Sequence, residues 1–167
     1  MSTDLRSSAS EMIASMRDRL LHGLAQAPDD RLGWSPAEGA RPPLELVYRG
    51  AFRMKYYAGL ITGDEFDRRT PPPPDASRAG AAAAITAACD EIARLIAGLS
   101  DADLERQVTA PWGAPCTLAS VVNQVVMALG YAQGQLNYVQ ICYGDMNANI
   151  PDSWKQGDVR GAEEAHA

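Results

Sequence analysis

Histidine is almost missing from this chain: 167 residues hold only His22 and His166. A catalytic metal centre usually takes three protein ligands, so two distant imidazoles cannot build one unaided. The same shortage removes the Ser-His and Cys-His pairings of nucleophilic catalysis. His22 falls near the end of a helical stretch, where a cation suits the dipole, and reads as a surface residue. Cysteine is sparse too. Cys89, Cys116 and Cys142 are odd in number and far apart, with no CxxC pair, which fits reduced thiols in a cytoplasmic protein. Each reads as a small buried apolar residue rather than a nucleophile; Cys116 stands out because it precedes a helix N-terminus.

Clustered positive charge is also lacking. The 15 basic residues are scattered among 21 acidic ones, for a net charge of −6, which argues against nucleic acid as a partner. No apolar run approaches the roughly 18–20 residues that cross a bilayer, so no membrane partner is expected. The opening Met1-Ser2-Thr3-Asp4-Leu5-Arg6 has no signal-peptide core. Neither a phosphate-binding glycine loop nor a dinucleotide fingerprint occurs, and no cofactor is expected. The carboxylate pairs Asp90–Glu91 and Asp101–Asp103 are too close in sequence to converge on one helix face.

What the chain does have is helical periodicity. The first stretch covers about 4–26, with Met12, Ile13, Met16, Leu20 and Leu24 as its apolar stripe. The second starts at Pro43 and runs to about Ile61, with Leu46, Arg49, Phe52 or Arg53, Tyr56 and Leu60 as its expected inner face. Pro71 to Pro74 cannot be helix interior and predict a stiff crossover. The third stretch covers about 76–99, and Ser100 to Leu104 cap it and can add a short helix. Residues 109–118 predict a tight turn or short hairpin. The fourth stretch covers about 117–143, with Leu118, Val121, Val122, Val125, Leu129, Ala132, Leu136 and Val139 facing inward and Gly144 ending it. The pattern predicts an all-α fold, an antiparallel four-helix bundle with a long crossover between the second and third helices. One domain spans 1–155, and 156–167 form a polar, disordered tail.

Three segments carry a family resemblance. They are Trp34-Ser35-Pro36-Ala37-Glu38-Gly39, the helix opening Leu44-Glu45-Leu46-Val47-Tyr48-Arg49, and the stretch from Pro111-Trp112-Gly113 through Gly134-Gln135-Leu136. Together they resemble the DinB-like superfamily, which includes thiol-dependent transferases and maleylpyruvate isomerases. The resemblance implies a right-handed antiparallel bundle, often dimeric, with one divalent metal held by three histidines. Those ligand positions fall here on Arg49, Ala128 and Ala132. Alanine has no donor atom and a guanidinium repels cations, so no metal ligand is assigned.

Ala128 and Ala132 are four apart and therefore expected on one face, pointing at the bundle centre. Two methyls in place of two imidazoles leave either a refilled core or a cavity. Arg49 has three readings: a salt bridge to Glu45, an outward position in solvent, or an anchor for an anionic ligand. Gln124 lies a turn before Ala128, whereas Gln135 reads as a structural hydrogen bond. Tyr48, Phe52, Tyr56, Tyr57, Tyr131 and Tyr138 gather near the same level, as core or as walls of a pocket for a flat anion. Trp34 and Trp112 are expected to plug the bundle ends.

The candidate ligand-binding residues are Arg49, Tyr56, Gln124, Ala128, Tyr131 and Ala132, and no catalytic residue is assigned. The leading expectation is a metal-free protein binding a small anionic molecule in the bundle centre, where Ala132→Leu would abolish binding without unfolding. The alternatives are the family's metal-dependent thiol transferase or hydrolase, and a non-enzymatic homodimer packed through small-residue runs such as Gly50-Ala51 and Ala58-Gly59.

Overall fold

The computed structural model describes residues 4–64, 76–110 and 112–147. The proline-rich crossover and the expected polar tail lie outside the described residues. Each helix begins where the sequence offers a cap. Asp4 accepts a hydrogen bond from the Arg6 N–H and opens α1 (Leu5–Gln26). Pro43 occupies the first turn of α2 (Pro43–Thr62), which stops at Gly63 with φ +85°, a backbone state that glycine adopts without strain. Ser77 caps α3 (Arg78–Ala97). Ser100 and Asp103 cap α4 (Asp101–Glu105) reciprocally. Strands β1 (Gln107–Thr109) and β2 (Pro115–Thr117) pair antiparallel, with Val108 opposite Cys116. Thr117 then caps α5 (Leu118–Cys142).

The four long helices close a ring. α1 packs on α3 and α5, and α2 packs on the same two, so α1 and α2 face each other diagonally. Ile13, Leu20, Met54, Ile85, Ile92 and Leu129 lie fully inside. The expected inward set of α5 is buried throughout. The last carbonyls of two helices are met by arginines from other elements, which suits the negative end of each dipole. Arg78 donates to the Leu24 and Ala25 carbonyls, to the Ala27 carbonyl at 2.7 Å and to the Asp29 carboxylate at 2.6 Å, which ties α3 to the end of α1. Arg106 donates to the Ile61 carbonyl of α2. Arg6 donates to the Leu99 carbonyl just beyond α3, at 3.0 Å.

Three expectations need correcting. The inner face of α2 is rotated: Val47, Gly50, Ala51, Met54, Ala58 and Ile61 join Leu46 inside, while Arg49 turns out to the rim. The small residues let α2 lie close on its neighbours and leave its bulkier polar side chains to the edges. Trp112 plugs nothing; it is 66% exposed on the turn between the strands. Trp34 is half-buried, edge-on to Tyr143 at 6.0 Å between centroids, with the Arg31 guanidinium over its ring. The cysteines divide. Cys142 is exposed and Cys116 half-buried, and only Cys89 is inside, where burial pushes its thiol up to about 12. No thiolate forms there at neutral pH.

Candidate functional site

Where α2 meets α5, the side chains of the two helices diverge and leave a groove of about 620 Å³. α2 presents Arg49, Phe52, Arg53 and Tyr56, spaced to share one face. α5 presents Gln124, Met127, Ala128 and Tyr131 at the same helical spacing. Trp112 stands over one end. A second hollow of about 460 Å³ continues along the seam past Tyr131, between Arg41 and Leu46 on one side and Tyr138 and Val139 on the other.

The electrostatics of the groove oppose those of the chain as a whole. Neither hollow has an acidic residue in its wall. Glu45 is the carboxylate nearby, and it is held by Arg41 Nε at 3.1 Å, with Arg49 Nη1 only at 4.0 Å. The Arg49 side chain is 46% exposed, so the loose pair contributes little. Arg53 stacks its guanidinium over the Tyr131 ring, 5.4 Å from the centroid. Burial pushes the Tyr57 phenol up, against a smaller downward pull from Arg53, so it remains protonated at neutral pH. The Gln124 carbonyl oxygen is buried with no hydrogen-bond partner. A buried acceptor without a donor costs about 1–3 kcal/mol relative to a satisfied one.

Five of the six candidate residues line this groove: Arg49, Tyr56, Gln124, Ala128 and Tyr131. Ala132 does not. It is buried in the core, where a β-carbon built on Gly50 would lie 4.0 Å from its methyl and 3.4 Å from Ile85 Cδ1. The expected cavity at the bundle centre is therefore closed by packing, and the open space lies in the seam outside it. The cause is helical geometry: four residues advance about 400°, so Ala132 is turned some 40° from Ala128. Arg53, Met127 and Trp112 are groove residues that the sequence reading did not assign to a site. A signal for Met127 and Trp112 exists, since no charged residue occurs from Gln107 to Gly144. A surface helix without charge has an outward face meant for something other than water alone.

The geometry defines a helical bundle with an arginine-rimmed groove along one seam. The chain belongs to the DinB superfamily: the family model matches residues 12–129, most of its length. Among solved structures, a DinB-like protein from Bacillus subtilis is similar, with a TM-score of 0.64 and 13% identity over 86% of this chain and 96% of that one. At that identity the likeness concerns the fold. The curated proteins give no match. The divalent ion that the family resemblance implies does not fit the side chains here. Positions 128 and 132 offer methyls, position 49 offers a guanidinium, and no three His, Cys, Asp or Glu side chains cluster among the described residues.

The closed centre makes opposite demands on two neighbouring positions. Gly50→Ala gains helix propensity and meets only ordinary contacts, so it should raise unfolding stability by about 0.5–1 kcal/mol. Ala132→Leu must push those same helices apart and should cost about 1–3 kcal/mol. Denaturant titration with both variants checks the pair; an Ala132→Leu as stable as the parent would reveal a hidden central cavity.

Proposed function

We propose that this protein binds a small anionic molecule in the groove between α2 and α5, and that this site replaces the family's metal centre. One observation carries the reading. Three guanidiniums, Arg41, Arg49 and Arg53, stand along walls that have no acid, with Glu45 held by Arg41 and only loosely by Arg49, on a chain whose net charge is −6. A local reversal of sign concentrates anions and steers them to the site. Ala128 keeps the wall open, and Tyr56 and Tyr131 provide flat apolar surface. No nucleophile–base pair is available among the lining residues, so binding accounts for the site without a reaction.

Replacing Arg49 and Arg53 together by Gln should weaken organic-anion binding at least tenfold in calorimetry, with the melting temperature nearly unchanged. Ala128→Trp should fill the groove and abolish binding. Affinity indifferent to all three substitutions would defeat the proposal. Stoichiometric zinc or nickel in the purified protein would instead restore the metal-dependent transferase or hydrolase.

A second reading, a homodimer, is favoured by a separate observation. Met127, Tyr131, Tyr138 and Ile141 are exposed by 46–72% along the uncharged α5. Copies that repel through net negative charge can approach most easily over such a neutral stripe. Tyr138→Glu should shift the protein toward monomer in light scattering across concentrations, leaving helical content intact. A parent protein that is monomeric at every concentration rules this out.

A further inference from the structure

Two glycines of α5 differ from those that draw the bundle together. Gly23 is crowded by Leu136 and Gly50 by Ile85, so each serves a close approach inside the chain. Gly130 and Gly134 are exposed, with nothing within 4 Å of where a β-carbon would stand. Both lie inside a 25-residue helix, where glycine is poorly tolerated. No contact among the described residues accounts for them. We infer that a second copy of the chain packs on this face, its α5 running antiparallel about a two-fold axis at Gly134. This deepens the homodimer reading above and rests on it.

The exposed face has the spacing of a seam between two helices. Met127, Tyr131, Gly134, Tyr138 and Ile141 are all exposed and follow one another at alternating steps of four and three. That repeat holds one stripe against one partner helix. A two-fold axis at Gly134 places Met127 opposite the partner's Ile141, and Tyr131 opposite the partner's Tyr138. Each Tyr138 ring then enters the hollow beside the partner's Gly130 and the partner's Gly134, where no side chain stands in the way. The stripe is thus complementary to itself, as the interface of a two-fold dimer must be.

Charge and area select the occupant. The chain has a net charge of −6, yet no residue of α5 is charged. A basic partner is drawn to acidic surface elsewhere. A neutral apolar stripe matches another of its kind, and a second copy carries one. With no side-chain charge on α5, the helix dipoles remain, and they favour the antiparallel pair over the parallel one. The area is of the right order as well. The four exposed side chains offer roughly 500 Å², to which the glycine backbone and the adjoining rims add, against about 800 Å² per partner in a stable interface.

Disulfide trapping in the full chain reads the geometry. In a background carrying Cys116→Ser and Cys142→Ser, Met127→Cys and Ile141→Cys should each fail to cross-link alone under mild oxidation. Mixed together, they should form a covalent dimer. A parallel pair gives the reverse, with each variant cross-linking to itself. Gly130→Leu should weaken self-association at least tenfold in sedimentation equilibrium, with helical content by circular dichroism unchanged or raised, because leucine is the better helix former. Undiminished association of Gly130→Leu, self-cross-linking of either cysteine variant, or no covalent product from the mixture overturns the inference. If the parent associates through Tyr138 while the cysteines follow the parallel pattern, the geometry is wrong and the homodimer reading stands. A parent that is monomeric at every concentration defeats both.

Discussion

Everything about the site depends on how closely α5 is drawn into the bundle. On the α2 side Gly50 lets Ile85 and Ala132 meet over a backbone that has no side chain. On the α1 side a β-carbon at Gly23 would come within 3.0 Å of Leu136 Cδ2, and the Gln140 amide donates to the Gly23 carbonyl at 3.0 Å. With α5 held from both sides, the centre has room for a methyl at Gly50 but none for a ligand. Packing at near-crystalline density cannot leave a ligand cavity there. The space appears instead where helix surfaces curve apart, along the α2–α5 seam.

The same closeness explains how charge is distributed. Arg6, Arg78 and Arg106 are committed to helix ends. Arg17 is committed to Asp18 and Asp90 at 2.9 and 2.6 Å. These arginines offset the negative ends of dipoles or answer neighbouring carboxylates. The α2 edge is different, because Arg49 and Arg53 follow Arg41 and Glu45 at helical spacing and only one of the four is an acid. Positive charge accumulates there because those positions cannot be in the core and no facing residue on α5 carries any charge.

Much of this was legible in the sequence, and the failures have a common cause. The helices, their caps and the inward face of α5 follow from periodicity, because an uninterrupted apolar stripe admits one orientation. The face of α2 was misjudged because Gly50, Ala51 and Ala58 carry little hydrophobic signal yet are buried. Small residues mark core by fit rather than by hydropathy, and a single sequence shows no fit. Ala128, expected at the centre beside Ala132, lies at the rim for a related reason: a spacing of four suggests one shared face, but the residual rotation leaves only Ala132 in the core. Gln124, Ala128 and Tyr131 do line one groove, since they lie close together on a single helix, where local geometry suffices. Trp112 reaches the groove through the pairing of β1 and β2, a contact that no helical pattern encodes.

The proposed ligand groove and the proposed dimer face share atoms. Tyr131 belongs to both hollows and to the exposed stripe of α5, and Arg53 rests on its ring. A second copy covering that stripe would strip water from Arg53 and raise the cost of its charge. An anion in the groove offsets that cost. If the proposed anion site and the proposed dimer face are both used, their coupling has a definite sign: anion binding would favour association, and by thermodynamic reciprocity association would tighten anion binding by the same factor. A groove that is open in the single chain would become a more demanding site in such a pair, because a guanidinium out of water accepts few substitutes for a carboxylate.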